Sequence, residues 1–424
     1  MPVTLGRKPL ARVSSQRSLR SLPSFQGASC YESIRSADPG ILVRRVQAKF
    51  RSLFKDDPLF VRSPGRVNLI GEHTDYNEGF VLPAAVDKAI YFAVAPKKGA
   101  LGSLHALDLD QSHEFEIARP VRSDKGWPNY LMGVVDQLGR TGAAVGGFAC
   151  VFGGDIPIGS GMSSSAAIEA GLAFSLNRIF DLGLDPLTLV KLAQKAENEF
   201  VGVRCGIMDQ FINIFGRPRS VLKLDCRSLD HQYFPFERAD LRIVLCDTLV
   251  KRELAASEYN VRRAQCEAGV KILAKHAPGL RSLRDVSLEL LEAQRSELDP
   301  MIYKRCDYVV HENLRVEEAC SDLKKGDFTA FGRRMNGSHD GLRDDYQVSC
   351  RELDVLVEAA GDVPGVLGAR MMGAGFGGCT INLVEETAIE ALKEGVVRSY
   401  KDIFGREPKI YISSLRSGTD IIKI

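Results

Sequence analysis

The sequence lacks the patterns that would place it in several large classes of protein. It has ten cysteines, but no two are spaced as Cys-x-x-Cys, so zinc and thioredoxin-like redox sites have little support. Its longest apolar stretch, VLPAAVDKAIYFAVAP, is interrupted by Asp87 and Lys88, which argues against a membrane span. Lysine and arginine (56) nearly balance aspartate and glutamate (54), so the net charge of +2 gives no overall attraction to nucleic acid or membranes.

The remaining composition is that of an ordinary globular protein. The chain has 424 residues, of which 45% are hydrophobic and 26% charged, and this length is typical of two or three domains. Scattered cysteines in a chain of this size favour reduced, buried thiols in a cytosolic protein over a disulfide framework. We therefore expect a cytoplasmic protein.

Residues 1–31 differ from the rest, because they contain arginine, lysine and serine but no aspartate or glutamate. This composition is typical of an organelle transit peptide. A disordered basic tail, or translation from an upstream start codon, would give the same pattern, so residues 1–31 are left out of the fold prediction.

Hydrophobic patterning predicts an α+β protein without a regular βαβ order. Predicted helices cover 38–56, 128–139, 166–180 and 187–202, with further helical segments around 251–275 and 305–335. Predicted strands cover 59–63, 66–71, 146–154, 380–384 and 409–413, with two more between 79 and 96. No change in composition marks a domain boundary; we expect one near 215–245, which gives domains of 32–225 and 226–424.

The segment GRVNLIGEHTDYN at 65–77 places five hydrogen-bonding side chains directly after an apolar run. A solvated turn needs Gly, Asn and Asp, but not this density of carboxylate, imidazole, hydroxyl and phenol groups. A site for a polyhydroxylated ligand needs such alternating donors and acceptors.

The segment DIPIGSGMSSSAAIE at 155–169 has the order strand, glycine-rich loop, serines and helix. Gly159 and Gly161 allow close backbone approach, while the serines can cap the helix, whose N-terminus favours an anion such as phosphate. The sequence is neither a Walker A motif nor a dinucleotide-binding fingerprint. A simple capped turn is the alternative interpretation.

Two further segments carry candidate groups. MMGAGFGGC at 371–379 has more glycines than a turn requires, and we expect it to lie between the helix-like VPGVLGARM and a strand. Asp209, in CGIMDQF, lies among apolar residues, where it could cap a helix or activate a hydroxyl group. Glu197 is a candidate ligand for Mg²⁺, which takes few protein oxygens in addition to phosphate and water.

In this order the three segments GRVNLIGEHTDYN, IPIGSGMSSSAAIE and RMMGAGFGGCTINL resemble the motifs of the galactokinases, a family of GHMP kinases. CGIMDQF, LDCRSL, SEYNVRRAQCE and GLRDDYQVSC also resemble segments of that family, and the resemblance runs from about residue 40 to the C-terminus. It implies a two-domain GHMP kinase fold with the active site in the cleft between the domains. It also implies ATP-dependent phosphorylation of the anomeric hydroxyl of α-D-galactose to galactose 1-phosphate, the first step of the Leloir pathway.

The resemblance further implies a role for each matching residue. The catalytic residues would be Asp209 and Arg66. The sugar would be bound by Glu72, His73, Thr74, Asp75 and Tyr259. The ATP phosphates would be held by Gly159, Ser160, Gly161, Met162, Ser163, Ser164 and Ser165. Magnesium would be held by Ser165 and Glu197. We expect a monomer that acts on small molecules and binds neither nucleic acid nor membrane.

Two alternatives stay open from the sequence. N-acetylgalactosamine kinases have a related first motif, with Ile and Cys where this chain has Thr74 and Asn77, so these residues favour galactose. A galactose sensor that binds both ligands without transfer is the second alternative. Such regulators lose residues in the phosphate loop, whereas the SSSAA run is unbroken here.

Overall fold

The computed structural model describes residues 39–157, 159–250 and 255–423. The tail at 1–31 lies outside these residues. The helices are α1 Pro39–Leu53, α2 Pro128–Arg140, α3 Ser164–Ile179, α4 Pro186–Lys195, α5 Met208–Phe215, α6 Ala255–Leu273, α7 Leu288–Ala293, α8 Pro300–Lys325, α9 Phe328–Asp344, α10 Arg351–Gly361 and α11 Ile389–Phe404. The strands are β1 Leu59–Asn68, β2 Phe80–Val81, β3 Pro83–Pro96, β4 Leu101–Ala106, β5 Gln111–Glu116, β6 Phe148–Gly154, β7 Ser220–Asp225, β8 His231–Pro235, β9 Leu241–Asp247, β10 Val366–Met371, β11 Cys379–Glu385, β12 Lys409–Ser413 and β13 Asp420–Ile421.

The first sheet has the strand order β13-β1-β3-β6-β4-β5, antiparallel except between β4 and β6. Side chains of β3 alternate between its two faces, as the two-residue period of a strand requires. Ile90 and Phe92 enter the main core, where α2 and α3 pack, whereas Tyr91 and Ala93 pack against α1. The sheet is therefore covered by helices on both faces.

The second sheet, β10-β11-β9-β12, is antiparallel throughout. Helices α10 and α11 cover one face through Leu356 and Leu392. The other face, which includes Ile243 and Ile381, joins the same main core as the first sheet. The two sheets therefore share one core.

The predicted α+β class is confirmed, since helices and strands alternate without a βαβ rhythm. The domain boundary after residue 225 stays a prediction. It falls between β7 and β8, which pair as a hairpin, and β13 near the end of the chain pairs with β1 in the first sheet.

Three predicted elements differ from the structure. The strands expected at 59–63 and 66–71 are one strand, β1, with a register shift between Pro64 and Arg66. The helix expected over 187–202 is α4 followed by a π-helical turn at Ala196–Val201. The segment 363–371, expected to be helix-like, contains strand β10, which pairs with β11 and whose last four residues are all buried.

The register shift in β1 has a local cause. Pro64 cannot donate a backbone hydrogen bond to a ladder, so prolines within sheets occur at edges or bulges. A bulge also changes the direction of the side chains that follow it. Here the next side chain with a charge is Arg66, which is 5% exposed.

No helix in the described parts of the chain is long and apolar enough to cross a membrane. The nine cysteines in these parts are free thiols, most of them buried.

Backbone-to-backbone packing of α9 on β10 gives a stability prediction. A Cβ at Gly332 would overlap the carbonyl oxygen of Leu367, so Gly332→Ala must push the helix from the sheet. We expect it to lower the free energy of unfolding by about 1–3 kcal/mol or more, measured by urea denaturation. Gly337→Ala, in the same helix with no atom nearer than Arg315 Cδ at 3.8 Å, should instead stabilise by up to about 1 kcal/mol. Equal losses in both variants would contradict this packing.

Candidate active site

One cavity of about 320 Å³ brings the candidate groups of the sequence together. Its lining combines the first motif, the helix after the glycine-rich loop, the segment around Asp209, helix α6 and the third motif. The lining residues are Arg66, Glu72, His73, Asp75, Tyr130, Ser165, Glu197, Val203, Cys205, Gly206, Met208, Asp209, Tyr259, Gly373 and Ala374. Both halves of the sequence therefore contribute to one site.

The first motif ends strand β1 and turns sharply at Gly71, whose φ of 94° is accessible to glycine without strain. Residues 71–80, called the sugar loop below after the role that the sequence predicts for them, then fold back to β2. Thr74 is fully buried, and its hydroxyl lies 2.9 Å from the Gly71 carbonyl oxygen and 2.6 Å from that of Phe80. Thr74 does not line the cavity, so it closes the loop instead of facing a ligand.

Glu72 is held by the third motif. Its Oε1 accepts hydrogen bonds from Arg370 Nη2 at 3.0 Å and from the Gly373 N–H at 2.7 Å. Burial acts to raise the pKa of Glu72, but Arg370 and then Arg66 outweigh it and lower the pKa below its usual value. Glu72 is therefore a fixed carboxylate at neutral pH.

The imidazole of His73 is held by a chain of two tyrosine hydroxyls. Its Nδ1 lies 2.8 Å from Tyr76 Oη, which in turn lies 2.7 Å from Tyr346 Oη. Burial, with a smaller contribution from Arg262, lowers the pKa of His73 to about 4, so the imidazole is neutral at pH 7. Its Nε2 is buried and has no hydrogen-bond partner among the described residues. The backbone of His73 has a φ of 62°, an unusual conformation for a non-glycine residue.

Asp75 differs from Glu72 in its charge state. Burial and the nearby charge of Asp209 raise the pKa of Asp75 to about 7, although the Tyr76 N–H opposes them. Gly206 leaves room for this side chain, because a Cβ there would overlap the Asp75 carboxylate. Tyr259, on α6, packs beside this motif, with its ring centroid 5.0 Å from Tyr76 and 5.5 Å from His73.

Arg66 and Asp209 form a two-point ion pair across 143 residues of sequence. Arg66 Nε lies 2.8 Å from Asp209 Oδ1, and Nη2 lies 2.9 Å from Oδ2. Burial disfavours the Arg66 charge, but Asp209 and Glu72 outweigh it and raise the pKa of Arg66. Such a paired geometry fixes the carboxylate in direction as well as in charge.

The glycine-rich loop reaches the same ion pair. Gly159 and Gly161 have φ values of 82° and 83°, as a tight loop requires. The Gly161 carbonyl accepts a hydrogen bond from Arg66 Nη1. Ser163 precedes α3, and the sequence allowed Ser163, Ser164 or Ser165 to cap that helix. The Ser163 hydroxyl does not cap it but donates to Asp209 Oδ2 instead. The loop therefore fixes Asp209 as well as presenting the N-terminus of α3 to the cavity.

Ser165 and Glu197 meet at the wall of the cavity. Both residues line the cavity, and Glu197 Oε2 accepts a hydrogen bond from Gln210 Nε2 at 2.7 Å. Burial and then Asp209 raise the pKa of Glu197. A cation beside this carboxylate would offset both effects, and hydroxyl and carboxylate oxygens are donors that Mg²⁺ accepts. The two residues thus fit a magnesium site that is completed by a phosphate ligand.

Several site residues were not found from the sequence. Arg370 lies within the quoted third motif, but a lone arginine in a strand gave no signal of its role. Gly206, Tyr346 and Ala374 act through backbone position or a distant contact, which no local pattern reveals. Cys205 lines the cavity, and burial raises the pKa of its thiol far above the usual range, so it is not a reactive thiolate.

The buried pair of Glu72 and Arg370 gives a second stability prediction. Arg370→Met would leave Glu72 without its cation and the carbonyls of Asn68 and Leu69 without their donor. We expect a loss of about 3–5 kcal/mol in the free energy of unfolding, as for other broken buried pairs. Arg343→Met, which breaks the exposed pair with Asp344, should cost less than about 1 kcal/mol.

The Glu72→Gln, Arg370→Met double variant removes the unpaired charge. It should be more stable than Arg370→Met alone in the same denaturation experiment. A double variant that lost the sum of both single effects would contradict the pairing.

Comparison with known proteins identifies the family. The Galactokinase galactose-binding signature matches residues 48–96, the GHMP kinases N terminal domain matches 129–217, and the GHMP kinases C terminal model matches 319–402. The curated Galactokinase of Roseiflexus sp. (strain RS-1) is 45% identical over 363 residues, covering 85% of this chain and 92% of its own length. The Galactokinase of Clostridium acetobutylicum is 40% identical over 390 residues, covering 89% of this chain and 98% of its own.

Solved structures agree with this result. The structure described as Lactococcus lactis Galactokinase Complexed with Galactose superposes with a TM-score of 0.86 at 35% identity, covering 89% of this chain and 99% of that chain. A mevalonate kinase, with a TM-score of 0.57 at 17% identity over 85% of this chain and 99% of its own, shows likeness of fold alone. The chain therefore belongs to the galactokinase family of the GHMP kinases.

Proposed function

We propose that this protein transfers the γ-phosphoryl group of ATP to the C1 hydroxyl of α-D-galactose, giving galactose 1-phosphate and ADP. The observation that carries the proposal is the meeting, in one cavity, of the Arg66–Asp209 pair with Glu72, His73 and Asp75. Family membership supports it, because the curated relatives that match most of the chain are galactokinases.

Galactose recognition would rest on groups with fixed and different hydrogen-bonding roles. Glu72 is an ionised acceptor held by Arg370, and the neutral His73 presents its unpartnered Nε2. Asp75 and Tyr259 also line the cavity, and Tyr259 would close on the sugar from the other side. Such buried polar groups reject a sugar that leaves one of them unpaired, which is how an epimer is discriminated.

Asp209 would receive or orient the proton of the C1 hydroxyl. Each carboxylate oxygen can accept two hydrogen bonds. Arg66 and Ser163 occupy both positions on Oδ2, whereas Arg66 occupies one on Oδ1. Oδ1 is therefore the oxygen with capacity left for a sugar hydroxyl. Phosphoryl transfer has a loose transition state, so positioning of this hydroxyl contributes alongside proton removal.

Residues 159–165 would hold the ATP phosphates through backbone N–H groups and the N-terminus of α3. Arg66 is next to both this loop and Asp209, where a fixed cation stabilises negative charge on the transferred group. Ser165 and Glu197 would hold Mg²⁺, which neutralises phosphate charge when it is bound. We further propose a cytoplasmic, monomeric enzyme of small-molecule substrates; the free thiols of the described residues support the location, and the small net charge argues against a nucleic-acid partner.

The catalytic role of Asp209 is tested by Asp209→Asn. This change keeps the shape of the side chain but removes its charge, so kcat should fall about 10²–10⁴-fold while the Kd for galactose changes little. ADP release would be measured with Mg²⁺ and D-galactose, N-acetylgalactosamine, D-glucose or no sugar, and galactose binding by calorimetry. Asp230→Asn, at an exposed carboxylate, is the matched control.

Each alternative has its own outcome in this experiment. Turnover with the N-acetyl sugar alone would change the substrate and keep the mechanism. Galactose binding without turnover in the wild-type protein would indicate a sensor. Normal kcat in Asp209→Asn would remove the proposed role of Asp209.

The raised pKa of Asp75 predicts that galactose binding depends on pH. Its ionised form accepts hydrogen bonds from sugar hydroxyls, and its pKa in the free protein is raised to about 7. Binding should therefore weaken as the pH falls through 7, with the Kd for galactose about tenfold higher at pH 6 than at pH 8. His73, with a pKa of about 4, does not titrate in this range.

Calorimetry between pH 6 and pH 8 would measure this Kd in the wild type and in Asp75→Asn. The variant should bind more weakly but with a flatter pH profile. The same slope in both proteins would show that another group titrates.

A further inference from the structure

Helix α8 places three buried side chains against the backbone of the sugar loop, although none of them lines the cavity. Glu312 lies one helical turn after Tyr308 on the same face of the helix, and Asn313 is the next residue along. In the sequence, 236 residues separate Tyr308 from Glu72. The function described so far gives these side chains no role.

Each of the three makes a hydrogen bond to the loop backbone. Tyr308 Oη donates to the Glu72 carbonyl at 3.0 Å, and Glu312 Oε1 accepts from the Gly71 N–H at 2.9 Å. At the other end of the loop, Asn313 Oδ1 accepts from the Phe80 N–H at 2.9 Å. One helix therefore holds both ends of the sugar loop.

Glu312 is itself fixed in place. It is fully buried, its Oε1 also accepts from the Ser338 hydroxyl at 2.6 Å, and its Oε2 accepts from Arg315 Nε at 2.7 Å. A buried carboxylate with donors on both oxygens cannot turn away without leaving unpaired groups. It thus acts as a rigid acceptor for Gly71.

The loop has little space and little freedom against this helix. A Cβ at Gly71 would come within 2.9 Å of Val316 Cγ2, and a Cβ at Gly79 would overlap Asn313 Oδ1. The loop also contains His73 at φ 62° and Glu78 at φ 57°. Non-glycine residues keep such conformations only where the surrounding structure determines them.

We propose that Tyr308, Glu312 and Asn313 are positioning residues for galactose, which hold the sugar loop in the shape that aims Glu72, His73 and Asp75 into the cavity. This inference rests on the proposed function. The alternative is a purely structural role, in which their loss lowers stability without a selective effect on the sugar.

The test uses substitutions that each remove one contact to the loop. Tyr308→Phe removes only the hydroxyl that binds the Glu72 carbonyl and keeps the ring. Asn313→Leu removes the acceptor for Phe80, whereas Asn313→Asp keeps it, since Asn313 Nδ2 has no partner among the described residues. Tyr303→Phe is the matched control, because it removes one hydroxyl contact, to Glu292, from the same helix.

For each variant, kcat, the KM values of galactose and ATP, the Kd of galactose without ATP, and the Tm would be measured. Tyr308→Phe and Asn313→Leu should raise the KM and Kd of galactose about fivefold to tenfold, as expected for a polar group left without its partner. The KM of ATP should stay within about twofold. Asn313→Asp should recover most of the galactose affinity, and Tyr303→Phe should match the wild type in galactose binding.

The outcomes separate this inference from the proposed function. A wild-type protein that neither binds nor phosphorylates galactose would overturn both. A wild type that does, with unchanged galactose affinity in Tyr308→Phe and Asn313→Leu, would overturn the inference alone. The inference would also be overturned if Tyr308→Phe and Asn313→Leu raised the KM of galactose and the KM of ATP equally. The same holds if Tyr303→Phe weakened galactose binding as much as they do.

Discussion

The buried ion pair between Glu72 and Arg370 is the contact on which the site depends most. Arg370 is fully buried; its Nη2, which binds Glu72, also donates to the Asn68 carbonyl, and its Nε and Nη1 donate to the carbonyls of Leu69 and Met371. The pair therefore fixes the end of β1, the start of the sugar loop and the third motif to one another. It also keeps Glu72 charged in a place where burial alone would neutralise it.

The carboxylates around Arg66 have different neighbours, and these neighbours give them different properties. Arg66 lies among Asp209, Glu72 and Asp75, which together raise its pKa. The three carboxylates differ in their surroundings: Glu72 has Arg370, and Asp209 has Arg66 and Ser163. Asp75 has the Tyr76 N–H and a smaller effect of Arg66, which do not offset burial and the charge of Asp209. The result is one fixed acceptor, one oriented carboxylate and one group that titrates near neutral pH.

The parts of the site that the sequence predicted are those carried by contiguous motifs. GRVNLIGEHTDYN and IPIGSGMSSSAAIE place a dense set of polar groups after a strand and a glycine loop before a helix, and both arrangements are found. Thr74 and Ser163 show the limit of this reasoning, because a motif names a residue but not the direction of its side chain. Tyr308 and Arg370 were missed because their partners lie more than half the chain away in sequence. The segment 363–371 looked helical, but pairing with β11 makes its residues 366–371 a strand.

The most direct test of this account is the identity of the phosphorylated product. The wild-type protein would be incubated with Mg²⁺, ATP and D-galactose, and the sugar phosphate would be assigned by ³¹P and ¹H NMR. The account predicts α-galactose 1-phosphate in an amount equal to the ADP released. Phosphate on another hydroxyl, or ADP with inorganic phosphate and unchanged sugar, would contradict the arrangement of Asp209, Arg66 and the sugar loop proposed for this cavity.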